Sequence, residues 1–407
     1  MHQYHTLPNG LRIVHKQTKS PVAHAGVIIN AGSRDESPIE HGIAHFTEHV
    51  FFKGTKKRKL FQVLGRLENI GADLNAYTTK EDISVFASFP KSYYNRTIEL
   101  LSDILLHSVF PAKEIEKEKD VIIDEINAYE DTPAEAIFDD FEDMLFPGNA
   151  LGRNILGRPA ILRKFRREHI LAFTTKHVHP ANMVFCSVGG IGFNRLVEMV
   201  SRYFSQSITP FGSGQRETPG EYKSRQDNRK RSVYQAHCII GNRAYSSYDT
   251  PRTAMALLNN ILGGPAMNSR LNMAIREKHG IAYNIESSYS PLSDTGVFSI
   301  YLGTDVSSLE KSIGLVHCEL DKLREGHLGT MQLHTGKRQL TGQIAIGMES
   351  HQNDMLSMGK SVLLYDKVEG LREICQKINN VTATEIMEAA NLVFARERMS
   401  MLTFTKK

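Results

Sequence analysis

Apolar residues in this chain fall into short continuous runs and longer periodic ones. The short runs at residues 11–14, 22–31, 83–89 and 183–188 read as strands. Between them, apolar positions recur three and four apart, which is the helical period. One helix follows Pro90 and runs through Leu105. A second covers 112–130, charged on most faces, with Ile115, Val121, Ile122 and Ile126 as its apolar stripe. A third begins at Thr132-Pro133, a capping residue followed by proline at the first helical position.

A similar order then returns. Residues 233–240 and 296–302 read as strands, and 253–262, 269–278 and 307–325 as helices. The stretch 211–232 between the two halves is polar, contains Gly and Pro, and is nearly free of core residues, so it reads as an exposed linker. In each half a helix ends, a glycine stops it and a strand follows, at 66–75 and at 276–283. The expected organisation is a first domain over 1–210, a linker over 211–232 and a second domain over 233–407. Both domains are expected to be α+β and of like topology. At 407 residues each has enough chain for its own core.

Composition narrows the function. The net charge is +4 and the pI about 8.7, with both signs interspersed, which does not describe a dedicated nucleic-acid binder. The basic clusters at 163–167 and 229–231 are short and read as solvated surface. Cys186, Cys238, Cys318 and Cys375 are far apart and lack metal-ligand spacing, so a reducing compartment is the simpler expectation. Met1 leads directly into the strand at 11–14, and no apolar run approaches membrane-spanning length. A soluble, cytoplasmic protein is expected.

The densest chemistry lies in His45-Phe46-Thr47-Glu48-His49, inside a segment that reads as helix. At about 100° per residue, His45 and His49 stack one turn apart and Glu48 stays on the same face. Two such imidazoles can hold a zinc ion, and the carboxylate can sit beside the water it activates. A string of this kind arises by chance in roughly one chain of this length in twenty, so context must decide. A catalytic zinc wants a third protein ligand and one open position. Glu118 and Glu125, seven apart on the helix 112–130, share one side of it. Either can supply the ligand, and the other can hydrogen-bond an imidazole. His177 and His179 precede Pro180 and read as a loop-to-strand junction instead.

The segment from His41 to Thr55, His-Gly-Ile-Ala-His-Phe-Thr-Glu-His-Val-Phe-Phe-Lys-Gly-Thr, resembles the signature of the inverted-zincin peptidases. That family includes pitrilysin, insulin-degrading enzyme and the mitochondrial processing peptidase. Its third ligand is a glutamate about 76 residues past the second histidine, which lands on Glu125. A further family glutamate, seven residues earlier, lands on Glu118 and implies that it supports a ligand imidazole. The departure is Thr47, where the family usually has an aliphatic residue; only a packing difference is expected there.

The resemblance implies more. Two similar domains, each a mainly antiparallel sheet packed with helices, would form a clamshell. Residues 71–79 would be an edge strand on which substrate lies extended, with Asn75 and Ala76 as the named positions. Arg276 and Tyr283 match a family Arg…Tyr pair that reaches the substrate carbonyl. The implied activity is a zinc-dependent endopeptidase, with one Zn2+ per chain, acting on unfolded peptides or presequence-like segments. Glu48 would take the proton of the attacking water. Because both residue sets lie in one chain, a homodimer or a self-sufficient clamshell is expected over an obligate heterodimer. Relatives of this fold also serve as non-catalytic scaffolds or regulatory subunits. A pure scaffold would have no need of His45, Glu48, His49 and Glu125 together.

Overall fold

A computed structural model describes residues 2–205 and 216–406. They form two compact units, and neither is a continuous stretch of chain. The first comprises residues 1–126, 153–216 and 346–369; the second comprises 127–152, 217–345 and 370–407.

The first unit is built on six strands: β1 (His2–Thr6), β2 (Arg12–Gln17), β3 (Val22–Ile29), β4 (Asp73–Thr78), β5 (Ile83–Pro90) and β6 (Met183–Gly189). Their order across the sheet is β1-β2-β6-β3-β5-β4. Only β2 and β6 run parallel; every other pair is antiparallel. The inner strands read as unbroken apolar runs because helices cover both faces. On one face Ala23, Ala25, Val27 and Ile29 pack with residues of α1 (Ile43–Phe51), α2 (Leu60–Glu68), α3 (Tyr94–His107) and α4 (Ala112–Glu130). On the other face Val14, Ile28, Phe86, Val184, Cys186 and Val188 meet Met355, Met358 and Val362 of the helix His351–Tyr365. That helix lies very close. A Cβ added at Gly359 would stand 2.6 Å from Ile28 Cγ1 and 2.9 Å from Cys186 Sγ. Lys16 to the buried Asp354 (2.6 Å) and Lys360 to Asp82 (3.0 Å) fasten it.

The second unit repeats the plan. Its strands are β7 (Gln226–Arg231), β8 (Ala236–Ala244), β9 (Ala282–Pro291), β10 (Gly296–Thr304) and β11 (Ser400–Lys406), in the order β7-β11-β8-β10-β9. β7 and β11 are parallel and the rest antiparallel. Strand for strand this is the order and polarity of β2, β6, β3, β5 and β4, so the two units share one topology. The helix-stop glycines also correspond. Gly71 (φ +69°) precedes β4 and Gly280 (φ +63°) precedes β9, each in the left-handed region that glycine enters freely.

One face of this second sheet is covered by a helix from the first half of the sequence. In α5 (Pro133–Leu145), Ile137, Phe141, Met144 and Leu145 pack on Ile239, Val297, Tyr301, Leu402 and Phe404. Each unit therefore takes one helix from the opposite half of the chain. The expected boundaries at 1–210 and 233–407 miss this exchange. An amphipathic pattern shows that a helix has an apolar face, not which sheet will cover it.

Other expectations need correction. Residues 211–215 of the expected linker lie outside the described residues, and 226–231 are the strand β7 rather than linker. Arg229 and Arg231 in it are not simply solvated. Both reach Asp140, at 2.7 and 3.1 Å, and the Arg231 guanidinium lies 5.1 Å from the Phe404 ring centre. In α4 the buried stripe contains Ile123, while Val121 is 51% exposed, because Val121 lies about 100° round the helix from Ile122.

Candidate metal centre

Helix α1 begins at Gly42, whose φ of +97° turns the chain into the helix. Ile43, Ala44, Phe46, Val50 and Phe51 face the core and are fully buried. That fixes the roll of the helix and brings His45, Glu48 and His49 to its other side. Helix α4 is set in the same way by Ile115, Ile122 and Ile126, which turn Glu118 and Glu125 toward those histidines. His45 Nε2 lies 3.8 Å from Glu125 Oε1, and His49 Nε2 lies 3.5 Å from Glu125 Oε2. All three candidate ligand atoms fall within 4.8 Å of one another. Ligands about 2.0–2.2 Å from a tetrahedral zinc stand about 3.4 Å apart, so this donor set is spaced for one ion.

The two imidazoles are held differently. His49 Nδ1 is 2.9 Å from Glu118 Oε1, and the other Glu118 oxygen takes a 2.7 Å ion pair from Lys53. A carboxylate only accepts, so His49 Nδ1 carries the proton and Nε2 keeps its lone pair for a cation. His45 Nδ1 is buried and has no hydrogen-bond partner among the described residues.

Burial, with His49 adding to it, drives the His45 pKa down to about 3, so the ring is neutral at physiological pH, as a ligand must be. Burial also works to lower His49, but the Glu118 hydrogen bond and the charges of Glu118, Glu48 and Glu125 outweigh it and raise its pKa. Glu118 is the reverse. Burial would raise it, yet His49 and Lys53 hold it below the usual carboxylate range. Glu48 is raised by burial, although the hydrogen bond from Thr78 opposes that shift.

Three residues at the site were not singled out from sequence. Thr78 Oγ1 donates to Glu48 Oε2 at 2.6 Å. The alternation of β4 contains the signal, since Leu74 and Ala76 pack toward the helices and Thr78 follows in step. Lys53 lies within the motif segment itself. Glu36 gave no local sign; its buried carboxylate accepts from the Gly42 and Ala44 amides, both at 2.8 Å. Burial pushes its pKa up to about 8 against those bonds and the nearby Arg153.

Asn75 and Ala76 lie on β4, the last strand in the sheet order, which packs beside α1. The Asn75 amide donates to Asp73 at 2.8 Å. Arg276 and Tyr283 belong to the second unit. Arg276 is exposed in a π-helical turn, Asn272–Glu277, and Tyr283 is 63% exposed at the start of β9, its hydroxyl 3.3 Å from Asp305. No described helix is long and apolar enough to cross a membrane. All four cysteines are unbridged.

Residues 12–158 match the family model for insulinase, peptidase family M16, and residues 164–340 match the model for the peptidase M16 inactive domain. An uncharacterised zinc protease of Bacillus subtilis is 30% identical over 394 residues, spanning 97% of this chain and 96% of that protein. Another, from Streptomyces coelicolor, is 32% identical over 400 residues, spanning 96% and 87%. Among solved structures, a protease from Helicobacter pylori matches with a TM-score of 0.92 at 20% identity, over 100% of this chain and 99% of that one. The peptidase M16 inactive domain from Pseudomonas fluorescens matches with a TM-score of 0.93 at 18% identity, over 100% and 98%. At those identities the structures speak for the fold, whereas the sequence relatives, aligned nearly end to end, speak for descent. The chain is a member of the M16, or insulinase, family of peptidases.

Proposed function

We propose that this chain is a zinc-dependent endopeptidase acting on unfolded peptides, presequence-like segments among them. The observation that carries the reading is the convergence of His45, His49 and Glu125 on one point, with Glu48 close enough to feel His49 and Glu125. The relatives named zinc proteases agree with it. His45, His49 and Glu125 would hold one zinc per chain, which would supply Lewis acidity and a water acidified toward a pKa of about 7. Glu48 accepts the proton of the attacking water and passes it to the leaving amine. Thr78 holds Glu48 Oε2, which leaves Oε1 for that exchange. Glu118 keeps the His49 ring turned with Nε2 toward the ion.

Substrate lies extended along β4, paired to backbone at Asn75 and Ala76. Unpaired edge groups bind any peptide while reading little of its sequence. Arg276 and Tyr283, both exposed, donate hydrogen bonds to the peptide carbonyl and steady the developing oxyanion. Because one chain carries both residue sets, a homodimer needs no second kind of subunit. Four free thiols suit a reducing cytoplasm.

The test is zinc content per purified chain, followed by digestion of an unstructured peptide library with and without chelator. One zinc and chelator-sensitive cleavage support the proposal. A zinc-loaded chain that leaves every peptide intact would instead favour a scaffold.

A further inference from the structure

The start of α1 lacks a cap of its own. Its N-cap residue is Gly42, which has no side chain to offer the first-turn amides. Glu36 fills that gap from outside the helix. It is 4% exposed, and each carboxylate oxygen takes one amide: Oε2 from Gly42 and Oε1 from Ala44, both at 2.8 Å. Its own carbonyl accepts from Arg153 Nη1 at 3.2 Å. The same turn is pressed sideways against a second backbone. A Cβ on Gly42 would stand 2.7 Å from the Gly157 Cα, and one on Gly157 would stand 2.7 Å from the Gly42 Cα.

A serine or aspartate at the cap position would satisfy these amides with little desolvation. Burying a carboxylate for the purpose is costly. The metal centre supplies a reason. His49 is oriented through its ring by Glu118, whereas His45 Nδ1 has no hydrogen-bond partner among the described residues. No hydrogen bond at Nδ1 turns the His45 ring, so its aim rests on its packing, the His49 ring included, and on its backbone; it directly follows Ala44, whose amide Glu36 holds.

We infer that Glu36 is a positioning residue for His45: by fixing the first turn of α1 it aims Nε2 at the point shared with His49 and Glu125. The inference rests on the metal reading above. Glu36 thus does through the main chain for one histidine what Glu118 does through a side chain for the other.

The test compares wild type, Glu36→Gln and Glu36→Asp, with Thr382→Ala as control. Thr382 caps an unrelated helix, Ala383–Val393, by accepting from the Glu385 amide. Zinc affinity is measured by competition with a chromogenic chelator, the visible spectrum is recorded with cobalt in place of zinc, and folding of the metal-free proteins is followed by circular dichroism. Glutamine keeps the size of glutamate but replaces one acceptor with a donor, so it cannot take both amides. Glu36→Gln is expected to bind zinc about 10- to 100-fold more weakly and to shift the cobalt bands while staying folded. Thr382→Ala should lose stability with neither change. Wild-type affinity and spectrum in Glu36→Gln, with only a lower melting temperature, overturns the inference. If Glu36→Gln does not fold, the same two readings on Glu36→Asp decide. A wild type that takes up no zinc sinks the metal reading itself, and the inference with it.

Discussion

Thr47 shows how much one atom can matter inside α1. Its side chain is fully buried, and Oγ1 has no hydrogen-bond partner among the described residues. A buried, unmatched hydroxyl is a loss that an isosteric valine removes. Thr47→Val should raise unfolding free energy by roughly 1 kcal/mol, read from urea melts, without changing zinc content. A fall would mean that the hydroxyl does have a partner. Glu48→Gln keeps the shape of the side chain and removes the base, so turnover should drop roughly 10²- to 10⁴-fold with zinc retained. Near-normal hydrolysis would take Glu48 out of that role. A third residue gives a pH signature. Burial lowers the His177 pKa from 6.5 to about 4, with Lys176 and Arg216 acting in the same sense and Asp35 and Glu40 against it. The unfolded chain then binds the proton more readily than the folded one. The His177 share of stability is thus full above pH 6.5 and declines as pH falls from there toward 4. His177→Leu should flatten stability against pH in that window; an unchanged slope would show that other groups carry it. Residue identity was legible in sequence at His45, Glu48 and His49 because spacing alone puts them on one helix face. The partnerships of Thr78 and Glu36 and the unmatched burial of Thr47 were not, since each depends on how distinct segments pack.

At the scale of elements, strand β4 and helix α1 meet through one short bond. Thr78 Oγ1 to Glu48 Oε2, at 2.6 Å, links the proposed peptide-binding strand to the proposed base. Thr78→Val keeps the β-branched shape of the strand residue and deletes the donor. Turnover should fall roughly 10-fold while zinc affinity stays at wild type, as expected for a partner one step removed from the ion. A loss of zinc instead would place Thr78 in the support of the ligands. Elements with a strong internal pattern were readable in advance. Helix α4 spans the expected 112–130, and α5 starts at the expected Pro133, because apolar period and proline placement are local signals. The helix Thr330–Gly347 carries little such signal, as Gly336 is its one buried residue. Strand β1 is short and polar, and nothing in its sequence distinguishes it from a frayed end. That β4 lies at a sheet edge follows from strand order, which no local pattern encodes.

At the scale of the whole molecule, the exchange of helices sets what can fold alone. Residues 1–210 lack the helix His351–Tyr365, and residues 233–407 lack α5 and β7. Each half would leave one face of its sheet uncovered, with Val14, Ile28 and Val184 bare in one and Ile239, Leu402 and Phe404 bare in the other. Expressed separately, neither half should give near-ultraviolet circular dichroism of a packed core, whereas a mixture should regain it. A folded, monomeric 1–210 fragment would refute this. The sequence does show two halves of like order, but it hides that they trade parts, because a long-range partner leaves no mark on the local period. The same exchange bears on synthesis at the ribosome. The apolar face of the first sheet is complete once residue 189 emerges, but its cover ends at Tyr365, 176 residues later. At about 5–20 residues per second, that surface stays open to solvent for roughly ten to thirty-five seconds. A nascent chain so exposed is a natural client for factors that shield sticky surfaces near the exit tunnel, and its yield in a host should depend on them.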